Sequence, residues 1–217
     1  MNTLSGAQLR FLLVDDHTIV RQGLKHILAE EWPGATFGEA CNALELLPLF
    51  RRENWNAVLL DINMPGRSGL DVLRDLRSEK PGTPVLVLSA HPEDQYAVRV
   101  LKAGAAGYLT KESAPDELIK AIRHVMNGGK YVSASLAEQL ALGLVQGSDK
   151  APHETLSDRE YQVLCGIASG KSVSQIADDL MLSVKTISTF RARVLAKMNM
   201  QNNAELTHYA IQHGLVE

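Results

Sequence analysis

The sequence has 217 residues, of which 45% are hydrophobic and 22% charged, and a formal net charge of −3. That is enough chain for one large domain or two small ones, with no global electrostatic pull toward nucleic acid or membrane. The two cysteines, Cys41 and Cys165, lie far apart without metal-ligand spacing, which argues against a disulfide framework and for buried thiols in a reducing cytosol.

The longest early apolar stretch, Leu9 to Val14, is interrupted by Arg10 and followed by Asp15 and Asp16. It is too short and too close to charge for a signal peptide or a membrane span, so a cytoplasmic protein with no membrane partner is expected. Phe11 to Val14, Ala57 to Leu60 and Val85 to Leu88 are apolar on both faces, as strands of a parallel sheet covered by helices on each side are. Ala35 to Glu39 and Ala106 to Leu109 are weaker strand candidates. Amphipathic segments alternate with them: His17 to Glu31, Asn42 to Glu53, Ser68 to Glu79, Pro92 to Ala103, and a helix from Pro115, a first-turn proline, to Met126. Five β-then-α units predict an α/β domain, a flavodoxin-like doubly wound parallel sheet of order 2-1-3-4-5 with right-handed connections.

After Gly128-Gly129 the pattern changes. One helix is expected near Ser133 to Leu144, then a polar linker from Gln146 to Pro152. Strand signals vanish beyond it, and helical patterns cover about Asp158 to Ser169, Val173 to Met181, Val184 to Met198 and Ala204 to His213. The expected domains are therefore residues 8–128, a helix and linker at 129–151, and a small all-α domain at 152–217.

Strand ends carry the chemistry. Asp15 and Asp16 end the first strand and Asp61 the third, and these strands are neighbours in the predicted order. Taken singly, each aspartate could be a turn or cap residue, or a reactive group displayed at the sheet edge. Together, three like charges are unstable alone, and a hard divalent cation such as Mg²⁺ relieves their repulsion. Ser89 and Lys111 follow the fourth and fifth strands. Acids, a metal, a hydroxyl and an ammonium suit phosphoryl transfer to a carboxylate. Met64-Pro65-Gly66 reads as a structural stop that turns the loop away from Asp61.

The pieces VDDH (14–17), LLDINMPG (59–66), LSA (88–90) and GYLTK (107–111) resemble the receiver domain of two-component response regulators. The resemblance implies that Asp61 is the phospho-acceptor and that Mg²⁺ is held by the Asp16 and Asp61 carboxylates and the Asn63 carbonyl, with Asp15 helping directly or through water. It further implies that Ser89 and Lys111 bind phosphoryl oxygens and that Tyr108 is an aromatic switch. A separate histidine kinase would supply the phosphoryl group, so His17 is not read as a relay residue.

In the tail, Ile176, Ala177 and Leu180 have helical spacing, Met181-Leu182 reads as a tight turn and Ser183 as an N-cap. Val184, Ile187, Val194 and Met198 are expected to face a core, with Lys185, Ser188, Thr189 and Ala192 on another face. This is a helix-turn-helix pattern whose second helix, 184–198, is the reader. Residues 185–197 contain Lys185, Arg191, Arg193 and Lys197 and no acid. The stretch from LSDRE through IADDL to SVKTIS resembles the LuxR-type DNA-binding domain of the NarL/FixJ subgroup of response regulators. That implies double-stranded DNA as a partner, with Lys185, Ser188, Thr189 and Ala192 in the groove and Thr186, Arg191, Arg193 and Lys197 on phosphates. Many relatives carry a longer polar or basic residue where Ala192 stands, and alanine offers an apolar contact at most.

The expected function is a phosphorylation-dependent transcription regulator, homodimeric when phosphorylated or DNA-bound, and not an enzyme beyond slow loss of its own phosphoryl group. One alternative is a phosphohydrolase with an aspartyl-phosphate intermediate. It would want a second acid two residues after the first, where Asn63 stands. Another is a DNA-binding protein whose receiver is never phosphorylated.

Overall fold

The computed structural model describes residues 8–64, 67–90, 93–138 and 151–216. The chain divides into two compact units, Met1–Leu136 and Ala137–Glu217.

The first unit alternates β1 (Arg10–Val14), α1 (Thr18–Glu31), β2 (Thr36–Ala40), α2 (Ala43–Arg52), β3 (Ala57–Asp61), α3 (Gly69–Glu79), β4 (Val85–Ser89), α4 (Glu93–Lys102), β5 (Gly107–Thr110) and α5 (Pro115–Met126). All five strands pair in parallel in the order β2-β1-β3-β4-β5, as the sequence predicts. Every residue of β3 and β4 is buried, because helices cover both faces. Phe11 and Leu13 of β1, Leu59 of β3, Leu86 and Leu88 of β4 and Leu109 of β5 pack with Leu24 and Leu28 of α1 and Leu118 and Ile122 of α5. Each such side chain contributes about 1.5–3 kcal/mol relative to exposure.

Local chemistry sets the starts of α1, α2 and α3 one residue inside the expected ones. His17 and Asn42 are caps, not helical residues, and Asn42 Oδ1 accepts the N–H groups of Leu44 and Glu45. Ser89 belongs to β4 as its last residue. Pro65, Gly66 and Pro92, which bore on the expected loop and helix start, lie outside the described residues, as do residues 139–150 of the expected helix and linker. Residues 134–138 are helical.

The second unit begins with a 3₁₀ turn, Pro152–Thr155, followed by α6 (Asp158–Ala168), α7 (Val173–Asp179), α8 (Val184–Met198) and α9 (Asn203–Gln212). Ser157 with Glu160 and Ser172 with Gln175 form reciprocal capping boxes at the starts of α6 and α7. Met181 turns the chain at φ 50°, Ser183 caps α8, and Asn199 at φ 53° ends it. Ile187, Val194 and Met198 are buried as expected. Val184 is not: it is 50% exposed, because the first helical residue after the cap points off the end of the packed face.

The expectation of two buried thiols is also corrected. Cys41 and Cys165 are only partly buried, Cys41 lying beside Glu45 at a strand-to-helix turn.

Candidate functional site

Register builds the first site. Val14 pairs with Leu60, Asp61 with Leu88, and Ser89 with Thr110. The carboxyl ends of β1, β3, β4 and β5 are thereby level, and the residues there meet although they are distant in sequence. Asp15 and Asp61 are each 1% exposed, and Ser89 and Tyr108 are fully buried.

The two buried acids divide their oxygens in the same way. Asp15 Oδ1 accepts the His17 N–H at 2.8 Å, and Asp61 Oδ1 accepts the Asn63 N–H at 2.8 Å. These are local turns of the kind that aspartate favours. The other oxygen of each faces Lys111, whose Nζ is 2.6 Å from Asp15 Oδ2 and 2.8 Å from Asp61 Oδ2. Asp61 thus makes the local bond of a turn residue with Oδ1 while its Oδ2 faces Lys111. Ser89 Oγ lies 3.4 Å from the Asn63 side-chain amide, and the Ser89 carbonyl accepts the Lys111 N–H at 2.8 Å.

Burial pushes the Asp61 carboxyl above the usual carboxylate range, although Lys111 and the Asn63 N–H pull the other way. Burial alone would lower Lys111, but its bonds to Asp15 and Asp61 outweigh that and hold the ammonium above the ordinary lysine value.

Asp15, Asp16, His17 and Asp61 offer one ligand atom each, all within 4.8 Å of one another. Asp15 Oδ2 and Asp16 Oδ1 are buried oxygens whose neighbours are the nitrogens of Lys111, at 2.6 Å, and His17, at 2.8 Å. Three carboxylates with ligand atoms this close together fit a hard divalent cation.

Of two supporting groups, the sequence reading weighed His17 only as a relay residue and missed Arg21. His17 joins the acids, and Arg21 of α1 donates from Nη1 to the Asp15 carbonyl at 2.6 Å while its Nε donates to Glu39 Oε2 at 3.3 Å. The direct succession of His17 after the acid pair was the available signal for the first. The second depends on β2 lying beside β1.

On α8 of the other unit, Lys185, Ser188, Thr189, Ala192 and Arg193 are exposed. Without DNA, the Ser188 and Thr189 hydroxyls donate back to the Val184 and Lys185 carbonyls. The Thr186 hydroxyl lies 2.8 Å from the cap Ser183 Oγ. Arg191 Nε donates to Asn203 Oδ1 at 2.6 Å. Lys197 has a structural engagement that the sequence did not suggest: its Nζ is 2.6 Å from Glu160 Oε2, a buried carboxylate of the α6 capping box.

A parallel sheet of this order with acids, hydroxyl and lysine at its carboxyl edge, joined to a helix-turn-helix unit, defines a receiver coupled to a DNA-binding domain. Comparison with known proteins agrees. The response regulator receiver domain matches residues 11–123, and the luxR family of bacterial regulatory proteins matches residues 154–210. The response regulator UvrY of Escherichia coli K12 is 37% identical over 208 residues, covering 95% of each chain. GacA of Pseudomonas aeruginosa is 38% identical over 210 residues, covering 96% of this chain and 98% of that one. A LuxR-family response regulator structure from Aurantimonas is 35% identical with TM-score 0.57, over 64% of this chain and 99% of that one. RcsB of Salmonella enterica serovar Typhimurium, bound to promoter rprA with the phosphomimetic BeF₃⁻, is 25% identical with TM-score 0.64, over 94% and 98%. The chain belongs to the two-component response regulators of the NarL/FixJ subgroup, a family of DNA-binding transcription regulators and not of enzymes. Among the described residues, no helix is long and apolar enough to cross a membrane.

Proposed function

We propose that Asp61 accepts a phosphoryl group from a sensor histidine kinase and that the phosphorylated chain binds promoter DNA through α8. In the transfer, the phosphohistidine N–P bond breaks, its electron pair returning to the imidazole, and an O–P bond forms to an Asp61 carboxylate oxygen. The observation that carries this reading is the buried Asp61 carboxylate, with one oxygen pinned by Asn63 and the other beside Lys111. Asp15, Asp16 and Asp61, with the Asn63 carbonyl, would hold Mg²⁺, which would supply positive charge against the phosphoryl oxygens. Lys111 and Ser89 receive those oxygens, and the inward Tyr108 is the switch that follows Ser89.

On DNA, Lys185, Ser188, Thr189 and Ala192 face the groove, and Thr186, Arg191 and Arg193 meet phosphates. Lys197 can add a phosphate contact only by sharing or leaving Glu160. The RcsB complex supports DNA as the partner. The acting form is a homodimer in the cytoplasm, with residues 8–128 as receiver, 129–151 as helix and linker, and 152–217 as the DNA-binding domain.

Labelling by acetyl phosphate with Mg²⁺ tests the acceptor: the wild type takes up one phosphoryl group and Asp61→Asn takes up none. Stoichiometric label on Asp61→Asn refutes the assignment. Identical DNA footprints with and without beryllofluoride would leave a DNA-binding protein whose receiver is silent.

A further inference from the structure

The sequence pattern assigns Val184 to the core, yet half of its surface meets solvent. Among the described residues of the second unit, the exposed large hydrophobic side chains are Met181 at the turn before α8, Ile211 on α9, and Val184 on α8 itself. Val184 opens α8 and stands one turn before Ser188 and two turns before Ala192, both exposed. That stripe faces solvent, whereas Ile187, Val194 and Met198 face inward. Ser183 Oγ accepts the Thr186 N–H at 3.1 Å, so the turn that carries Val184 is fixed before any ligand arrives. The Ser188 hydroxyl donates to the Val184 carbonyl and the Thr189 hydroxyl to the Lys185 carbonyl, which commits both protons within the helix. The leading end of this face therefore presents the Val184 methyl groups beside the Lys185 ammonium.

We propose that Val184 is a specificity-determining residue, whose isopropyl group packs against the C5-methyl of a thymine next to the base that Lys185 reads. The inference rests on the reading of α8 as the groove helix. The N-terminal residues of such a helix are the ones that reach base edges, and Val184 is the first of them. The thymine methyl is the apolar group that the major groove displays; the other base-edge groups are donors and acceptors that valine cannot pair. A different base at that position leaves the isopropyl group against a polar edge and weakens binding without a clash. A β-branched side chain on a helix has one strongly preferred χ1, so Val184 loses little freedom when it docks.

The test selects a binding site from random duplex DNA with the full chain and beryllofluoride, then replaces each thymine of that site by deoxyuridine, which removes only the C5-methyl. Wild type, Val184→Ala, Val184→Ile and Lys185→Ala are compared, with thermal melting as the folding control. At one thymine of each half-site, the wild type loses about fourfold in affinity on replacement, the worth of one buried methyl-sized group. Val184→Ala binds thymine and deoxyuridine equally there and keeps the wild-type response at every other thymine, while Val184→Ile retains the preference. Lys185→Ala relaxes the preference at a neighbouring base and leaves the methyl response in place. A wild type insensitive to every replacement, or a Val184→Ala chain with the full wild-type response at each thymine, overturns the proposal. If Lys185→Ala relaxes a base preference while Val184→Ala changes none, Val184 alone is misread. If no sequence is selected, or Lys185→Ala and Val184→Ala both leave the selected sequence and its affinity unchanged, α8 is not the reader and the proposal falls with that reading.

Discussion

Lys111 stands between two carboxylates that are otherwise almost sealed from water, and its ammonium pairs with both. Lys111→Met removes that charge and keeps much of the stem's packing. Breaking a buried pair leaves uncompensated charge and typically costs about 3–5 kcal/mol. The lysine side chain retains 17% exposure, so the lower end is expected. Urea denaturation should show the loss, and added Mg²⁺ should recover part of it. Lys197 illustrates the opposite relation between sequence and structure. A lysine on a basic helix reads as a DNA contact, whereas its pairing with Glu160 spans 37 residues and could not be seen before the helices were packed. Burial would raise the Glu160 pKa, but Lys197 and Ser157 outweigh it and hold the carboxyl below its usual range. Its folded value lies below the unfolded one, so the unfolded chain binds this proton more readily. The stabilisation is complete above the unfolded value and is lost as pH falls through the folded one. Lys197→Met should therefore lower stability at neutral pH and flatten the acid limb of the pH–stability profile from about pH 5 downward.

At the scale of elements, the doubly buried strands were legible because a continuous apolar run of four or five residues that stops at a polar one is too short for a buried helix and fits a covered parallel strand. Ser89 and Lys111 were legible for the same reason, as each stands where a strand signal stops. The chain beyond α5 was less so. The Tyr131 N–H donates to the Ala106 carbonyl at 2.8 Å, and Tyr131 forms a single parallel bridge with Gly107, adding to the outer edge of β5. Ser133 then bonds to Glu93 of α4, and Leu136 is buried. One bridge has no period, and no sequence pattern announces it. Gly107 makes room for it: a Cβ there would lie 2.8 Å from the Tyr131 carbonyl oxygen and 3.0 Å from Leu86 Cδ1. Gly107→Ala should thus displace the 129–133 segment and cost about 1–3 kcal/mol, the range for overpacking a tight site. Hydrogen exchange should rise at Tyr131 more than at β1 or β3. Unchanged protection at Tyr131 would show that the edge contact is not coupled to that packing.

For the whole molecule, a net charge of −3 conceals a helix that carries Lys185, Arg191, Arg193 and Lys197 without an acid between them. Steering toward DNA must then come from this local face. Its affinity should fall steeply with salt, by about 0.9 log unit per log unit of salt for each phosphate neutralised. Arg193→Ala, an exposed change, should weaken binding to all sequences and reduce that slope by about one, whereas Lys197→Met should act mainly through stability. The two units can also be taken separately. The second has its own caps at α6, α7, α8 and α9 and its own buried residues, among them Tyr161, Leu164, Ile187, Val194 and Leu206. A fragment of residues 151–217 should therefore fold alone, giving a helical spectrum and one cooperative melt. It should bind promoter DNA with an affinity that beryllofluoride does not alter, while the full chain responds to beryllofluoride through Asp61. If the fragment folds but fails to bind any DNA at low salt, the basic face of α8 is not the reader. If it binds and the full chain ignores beryllofluoride, the receiver does not control it.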